Sequence, residues 1–386
     1  MTGYNLSFRR TPSMSLLQKL LQVNWAVVLL ICALAGVGAG MLYSAANASM
    51  EPWAERHLIR FAVLFVLLIA IALTDIRIWF RFAYPAYFIT LILLVAVEFK
   101  GTVGMGAQRW IDLGVIQLQP SEVMKVTLVL ALARYFHSLS LEDVRRPLYL
   151  LFPLFLVLAP AGLVLKQPDL GTATMLVLAG GALFLLAGVR LWKFLLVAVA
   201  TGAILPVAWN SLHQYQKNRV LTFLDPSSDP LGAGYHITQS KIALGSGGVF
   251  GRGFLEGTQS HLNFLPEKQT DFIFTMLAEE FGMVGAMGLI GLYLLVFLYG
   301  FAVALTSSNH FGRLLALGLT VNLFFYVFIN MAMVMGLLPV VGIPLPLVSY
   351  GGTAMLTAMT SFGLILCVRV HKDISIPRRG LQGEVV

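Results

Sequence analysis

The residues best placed to do chemistry lie in Phe264-Leu265-Pro266-Glu267-Lys268-Gln269-Thr270-Asp271-Phe272-Ile273-Phe274, followed by Ala278-Glu279-Glu280-Phe281-Gly282. Here a polar stretch runs into a long apolar one, so Asp271 stands at a boundary between water and lipid. A carboxylate at a partly dry interface is suited to accept a proton as a general base. At about 100° per residue, Thr275 falls roughly 40° and Glu279 roughly 80° from Asp271 around a helix, with Glu280 opposite. Asp271 and Glu279 are therefore expected to face one cavity at two depths.

Upstream, Lys217, Arg219, Lys241, Arg252 and Lys268 are interspersed with Gly245-Ser246-Gly247-Gly248 and Gly251-Arg252-Gly253. Glycine turns expose backbone N–H groups and arginines fork onto phosphate oxygens, a combination that suits an anionic headgroup. The glycines match neither the G-x-x-x-x-G-K nucleotide loop nor a G-x-G-x-x-G turn between strand and helix. Three further polar groups interrupt apolar surroundings. Glu122 and Lys125, next to Ser121, share one helical face at i, i+3, either as an ion pair that locks two spans together or as substrate ligands. Asp169, in Lys166-Gln167-Pro168-Asp169-Leu170-Gly171-Thr172, reads as a helix cap or as a ligand. Pro339, Pro344, Pro346 and Ser349-Tyr350-Gly351-Gly352-Thr353 break the chain before its last apolar run, as a re-entrant turn lining a cavity or as a bent loop without a ligand.

The elements that position these groups follow from composition. Of 386 residues 58% are hydrophobic and 11% charged, and mean hydropathy is +0.83. A soluble domain carries about 25% charged residues, so the chain is expected to be an all-α polytopic membrane protein. Its net charge of +8 is explained by topology, with no call for nucleic acid. Cys32 and Cys367 stand far apart in apolar runs and form no metal or disulfide pattern.

Crossing the hydrocarbon takes about 20 apolar residues, and ten stretches qualify: Asn24 to Ser44, His57 to Thr74, Ile78 to Val97, Ser121 to Phe136, Leu148 to Leu165, Gly171 to Gly188, Leu191 to Trp209, Phe272 to Phe301, Gly312 to Met335 and Val348 to Val370. Arg9, Arg10, Lys19, Arg77, Arg81, Arg134, Arg145, Arg146, Arg190, Lys193, Arg313, Arg369, Lys372, Arg378 and Arg379 then fall on one side with both termini, which the positive-inside rule makes cytoplasmic. The other side holds one large loop, about 210–271, between the seventh and eighth spans. The first apolar run is longer than a signal peptide's core and reads as an uncleaved span. A cytoplasmic segment 1–23, one integral domain 24–370 and a cytoplasmic tail 371–386 describe the chain.

In order, these segments resemble the SEDS family (shape, elongation, division and sporulation). The match rests on Gly106-Ala107-Gln108-Arg109-Trp110-Ile111, Gln119-Pro120-Ser121-Glu122, Lys166 to Thr172, Arg219-Val220-Leu221-Thr222-Phe223-Leu224-Asp225-Pro226, Gly232-Ala233-Gly234-Tyr235, Gln239-Ser240-Lys241-Ile242-Ala243, Leu265 to Phe274 and Pro346 to Thr353. Gly257-Thr258-Gln259-Ser260, Phe264-Leu265-Pro266-Glu267-Lys268 and Leu347 to Thr353 point to the elongation branch over the division branch. Gln269 departs from the pattern, standing where these proteins commonly have His.

The resemblance implies a peptidoglycan glycosyltransferase of the bacterial inner membrane. Such an enzyme polymerises lipid II at the periplasmic face during elongation, beside a class B penicillin-binding protein and other elongation-complex proteins. It aligns the family's essential aspartate with Asp271, its loop tryptophan with Trp110 and its intramembrane pair with Glu122 and Lys125. Asp271 would then be the base for an attacking sugar hydroxyl, with Arg219, Lys241 and Arg252 as candidates to neutralise the departing diphosphate. Glu122, Lys125 and the break near Ser349 to Thr353 would line the polar part of the cavity, and Asp169, Lys268 and Glu279 are further substrate-binding candidates. Trp110 would stack on a sugar or anchor its loop at the headgroup layer. No cofactor is implied; a divalent cation could bridge the diphosphate, although no clustered carboxylates would fix one. Transport of a lipid-linked substrate, as by a flippase, is the alternative from another class, and a non-catalytic scaffold for a transpeptidase is a third. A transporter's site tends to lie at the bilayer midplane, whereas Asp271 and the cations gather at the outer end of the eighth span.

Overall fold

The computed structural model describes residues 14–104, 107–112, 114, 117–211, 214–225, 232–261, 264–265 and 267–377. The chain is mainly helical, and each of the ten apolar stretches coincides with a helix. These are α2 (Trp25–Ala45), α3 (Ala54–Leu73), α4 (Ile76–Lys100), α5 (Pro120–His137), α7 (Leu148–Lys166), α8 (Leu170–Leu186), α9 (Leu191–Ser211), α13 (Ile273–Thr306), α14 (His310–Val334) and α15 (Gly352–Val370). Among the described residues seven helices are long and apolar enough to cross a membrane: α2, α3, α4, α7, α13, α14 and α15. Helix α5 carries Glu122, Lys125 and Arg134 and is not one of them, while α8 and α9 contribute shorter apolar stretches. The last helix begins at Gly352, four residues beyond the expected Val348, because the segment before it is not helical.

Local chemistry sets the helix starts. Asn24, Asp75, Asp169 and Asn309 each accept a backbone N–H of the first turn of α2, α4, α8 and α14, replacing a bond the helix cannot make for itself. Pro120 opens α5 at a position where its missing N–H costs nothing. Helix α5 is buried along almost its whole length and packs against α4, α7, α8, α14 and α15, so it forms the central post of the bundle.

Two features depart from a purely helical plan. Between α4 and α5 the chain forms a small antiparallel sheet, β1 (Thr102–Gly104), β2 (Ala107–Asp112) and β3 (Gln117–Leu118), with Thr102 opposite Trp110 and Ile111 opposite Leu118. The connection expected at about 210–271 contains α10 (Gln214–Leu224), α11 (Ala233–Ser246) and the short α12 (Thr258–His261). Helices α1 (Leu16–Gln22) and α6 (Leu141–Arg145) complete the order.

Helix α13 is broken at Gly282, whose φ of 65° and ψ of −160° leave the helical region. The glycine loop fills the break. Arg252 N–H donates to Glu279 O and Gly253 N–H to Glu280 O, both at 3.0 Å, while Met283 and Val284 N–H donate to Gly248 O and Val249 O at 3.0 and 3.1 Å. The backbones lie so close that a Cβ on Gly247 or Gly251 would sit 2.1 Å from a carbonyl oxygen of α13. These glycines are required by backbone-to-backbone contact, so the loop takes over the rungs that the broken helix gives up.

Candidate functional site

Asp271 sits just before α13 and is partly exposed. Three side chains and one backbone group fix its segment. Asn330 of α14 donates both hydrogens of Nδ2, to Asp271 O at 3.0 Å and to Ile343 O at 2.7 Å. Ser349 Oγ donates to Thr270 O at 2.5 Å and accepts from Leu345 N at 2.8 Å. Thr270 Oγ1 donates to Glu267 O at 3.2 Å, and Tyr350 N–H donates to Gln269 O at 2.8 Å. The non-helical segment between α14 and α15 therefore lies along residues 269–271, with Ile343, Leu345, Leu347 and Val348 buried. Irregular backbone buried in protein is the form expected of a re-entrant turn. Gly342 adjoins the carboxylate: at its φ of 71° a Cβ would lie 3.2 Å from Asp271 Oδ2.

The other sequence-derived residues take distinct places. Glu122 and Lys125 are 5% and 1% exposed and bond to each other at 2.6 Å. Tyr326 of α14 donates to the second oxygen of Glu122 at 2.5 Å, and the Lys125 ammonium lies 4.2 Å from the centre of the Tyr326 ring. Both oxygens of Glu122 are thus engaged, as in a pair that locks α5 to α14. Asp169 caps α8, accepting from Thr172 N at 3.0 Å and Thr172 Oγ1 at 2.9 Å. Arg109 of β2 approaches it at 3.7 Å and donates to Gln167 O at 3.1 Å and to Pro168 O, so the strand that carries half-buried Trp110 is tied to the α7–α8 turn.

Glu279 is fully buried and accepts from Gln259 N at 2.8 Å and Thr258 Oγ1 at 3.3 Å. This corrects the expectation of one cavity shared with Asp271. Helix α13 starts at Ile273, so a helical angle counted from Asp271 does not apply, and Glu279 serves the loop at α12. Glu280 faces α2, where it accepts from Ser44 Oγ.

Lys241 is exposed, with its stem against Gly336 just past the end of α14. The preceding Ser240 joins Thr275 of α13 at 2.8 Å and Val334 O of α14 at 2.7 Å, which carries α11 across both helices. Arg252 is exposed, and Lys268 is 6% exposed, where burial pushes its ammonium pKa below the ordinary lysine value. Arg219 belongs to α10, but its side chain lies outside the described residues, as does Ser260's. Ser349 acts here as a staple on Thr270. The described residues hold no group of three or more His, Cys, Asp and Glu arranged to bind a metal.

Sequence reasoning did not single out Asn330, Tyr326 or Arg109 for these roles. Asn330 and Tyr326 stand four residues apart in α14, so they share a face. A polar amide in so apolar a helix was the available signal.

The model of the cell cycle protein family FtsW/RodA/SpoVE matches residues 19–374. The chain belongs to this family. It is 44% identical to the peptidoglycan glycosyltransferase MrdB of Escherichia coli K12 over 354 residues, 90% of this chain and 94% of that protein. It is 39% identical to MrdB of Helicobacter pylori over 79% of this chain and 80% of the relative. Among solved structures, a chain of a complex described as coordinating polymerization and crosslinking in a peptidoglycan synthase superposes with a TM-score of 0.78 at 34% identity, covering 91% of this chain and 98% of that one. The rod shape determining protein RodA of Thermus thermophilus gives a TM-score of 0.68 at 29% identity over 91% and 98% of the two chains. Family membership and the apolar helices make this an integral membrane protein.

Proposed function

We propose that the protein is a peptidoglycan glycosyltransferase of the elongation type, which polymerises lipid II at the periplasmic face of the bacterial inner membrane with Asp271 as general base. The 44% identity to MrdB across nine-tenths of the chain supports the activity. The observation that carries the site is the partly exposed Asp271 carboxylate on a segment clamped by Asn330, Ser349 and Tyr350. A base held on such a frame is positioned before substrate arrives, and positioning of this kind supplies much of a catalyst's advantage.

In this reading a sugar hydroxyl attacks the anomeric carbon of a second lipid II. The new C–O bond forms as the bond to the diphosphate oxygen breaks, Asp271 takes the hydroxyl proton, and undecaprenyl diphosphate leaves with the bonding pair. Arg219, Lys241 and Arg252 lie on the connection that ends at Asp271 and are the candidate cations for that leaving charge. Ten crossings, cytoplasmic termini and a periplasmic 210–271 connection complete the topology. A class B penicillin-binding protein is the expected partner, in line with the synthase complex that contains the structural relative.

The test is polymerisation of purified lipid II by the detergent-solubilised protein with its transpeptidase, the latter blocked at its serine. Wild type is expected to make glycan ladders, and folded Asp271→Ala and Asp271→Asn none. Ladders from both variants at the wild-type rate would remove Asp271 from the mechanism. Absence of ladders from wild type, with lipid II crossing liposomes, would replace polymerisation by transport.

A further inference from the structure

We infer that Arg60 is a binding residue for the diphosphate of the lipid-linked substrate, an inference that rests on the polymerase reading above. Arg60 lies in α3 six residues from its start at Ala54, about 9 Å along the axis. Among the described residues it makes a cation–π contact, with Cζ 4.8 Å from the centre of the Tyr350 ring, packs beside Gly352 and interacts electrostatically with His57 about one turn earlier in α3. No carboxylate pairs with it there, and no hydrogen bond occupies it. A guanidinium inside a span is costly unless something pairs with it.

The stacking has a specific chemical result. A ring face holds the guanidinium through its π-electrons and leaves the N–H edges unused, so five donors remain in a fixed plane. Gly352 leaves room for the group: a Cβ there would stand 3.6 Å from each of Cζ, Nε and Nη1. A rigid fork of donors matches the paired oxygens of a phosphate. Tyr350 also ties the fork to the base, because its backbone N–H donates to Gln269 O, two residues before Asp271.

The surroundings suit a lipid-borne anion. Ile59 and Val63, flanking Arg60 on α3, are 57% and 66% exposed, so a diphosphate on Arg60 leaves its prenyl chain beside an apolar, outward-facing surface. The same chemistry would accept the phosphate of an ordinary anionic headgroup, and the experiment separates the two.

Wild type, Arg60→Gln, Arg60→Lys and Asp271→Asn are placed in phosphatidylcholine nanodiscs and titrated with farnesyl diphosphate and with farnesol. A parallel set of discs contains phosphatidylglycerol. Wild type and Asp271→Asn are expected to prefer the diphosphate. Arg60→Gln should weaken its binding about tenfold while leaving farnesol unchanged, as loss of a charged fork predicts, and Arg60→Lys should fall between. Equal diphosphate binding by Arg60→Gln and wild type overturns the inference. So does abolition of the wild-type preference by phosphatidylglycerol, which would make the site a headgroup site. If Arg60→Gln does not fold, Arg60→Lys decides: undiminished diphosphate affinity overturns the inference, and a partial loss supports it. Arg60-dependent binding in a protein that makes no glycan would overturn the polymerase reading alone.

Discussion

Asn330→Ala tests whether the clamp on Asp271 serves catalysis. The asparagine spends both hydrogens of one amide on two carbonyls, Asp271 O and Ile343 O. Truncation leaves both acceptors without that donor. A buried acceptor left unpaired costs about 1–3 kcal/mol. Ile343 is buried and should lose in that range, whereas partly exposed Asp271 can recruit water and should lose near its lower end. The expected destabilisation is about 2–4 kcal/mol.

The effect on rate is separate. With its carbonyl released, Asp271 can drift, and for a residue acting as the proposed base a displacement of about 1 Å costs on the order of 100-fold in rate, or about 2.7 kcal/mol of barrier. Initial rates of lipid II polymerisation should show kcat reduced by that order with KM changed little, in protein verified as folded by its unfolding curve in detergent. A kcat within twofold of wild type, together with the expected loss of stability, would refute the clamp as a catalytic device and leave Asn330 a structural strut.

Other outcomes follow from the same contacts. Glu122→Ala, which leaves buried Lys125 without its carboxylate partner, should cost about 3–5 kcal/mol of stability; the double variant Glu122→Leu with Lys125→Met should recover much of it in detergent unfolding. Gly251→Ala puts a methyl against Glu280 O at a φ of 84°, so limited proteolysis between Gly247 and Gly257 should be markedly faster than in wild type. Burial lowers the pKa of His371 below 6.5, so the folded protein holds its proton less tightly than the unfolded chain. Stability should be fully present above pH 6.5 and decline as pH falls through and below that value, and His371→Gln should flatten this part of the curve.

The apolar runs were legible because lipid imposes a length and a composition on each helix, and a cap such as Asp169 is local. Asp271 was legible for the same reason, as a charge at the edge of a run. The role of Glu279 was not, because it depends on where α13 begins, and that is set by the tertiary contacts of residues 267–272. The glycines of 245–253 were read as an anion cradle, yet Gly247 and Gly251 meet α13 backbone to backbone. Close approach to a ligand and close approach to another chain segment leave the same signature in sequence. Asn330 and Arg60 needed the fold, since their partners at Ile343 and Tyr350 are distant in sequence or assembled by an irregular segment.

The loop lodged in the break of α13 has a mechanical consequence. Because Gly248, Val249, Arg252 and Gly253 supply rungs that the helix lacks, a pull applied to this part of the loop becomes a pull on α13 at Gly282. Whatever grips the loop therefore holds a handle on the long apolar helix α13. A residue inserted between Val249 and Arg252 would put the rungs on its two sides out of step with each other.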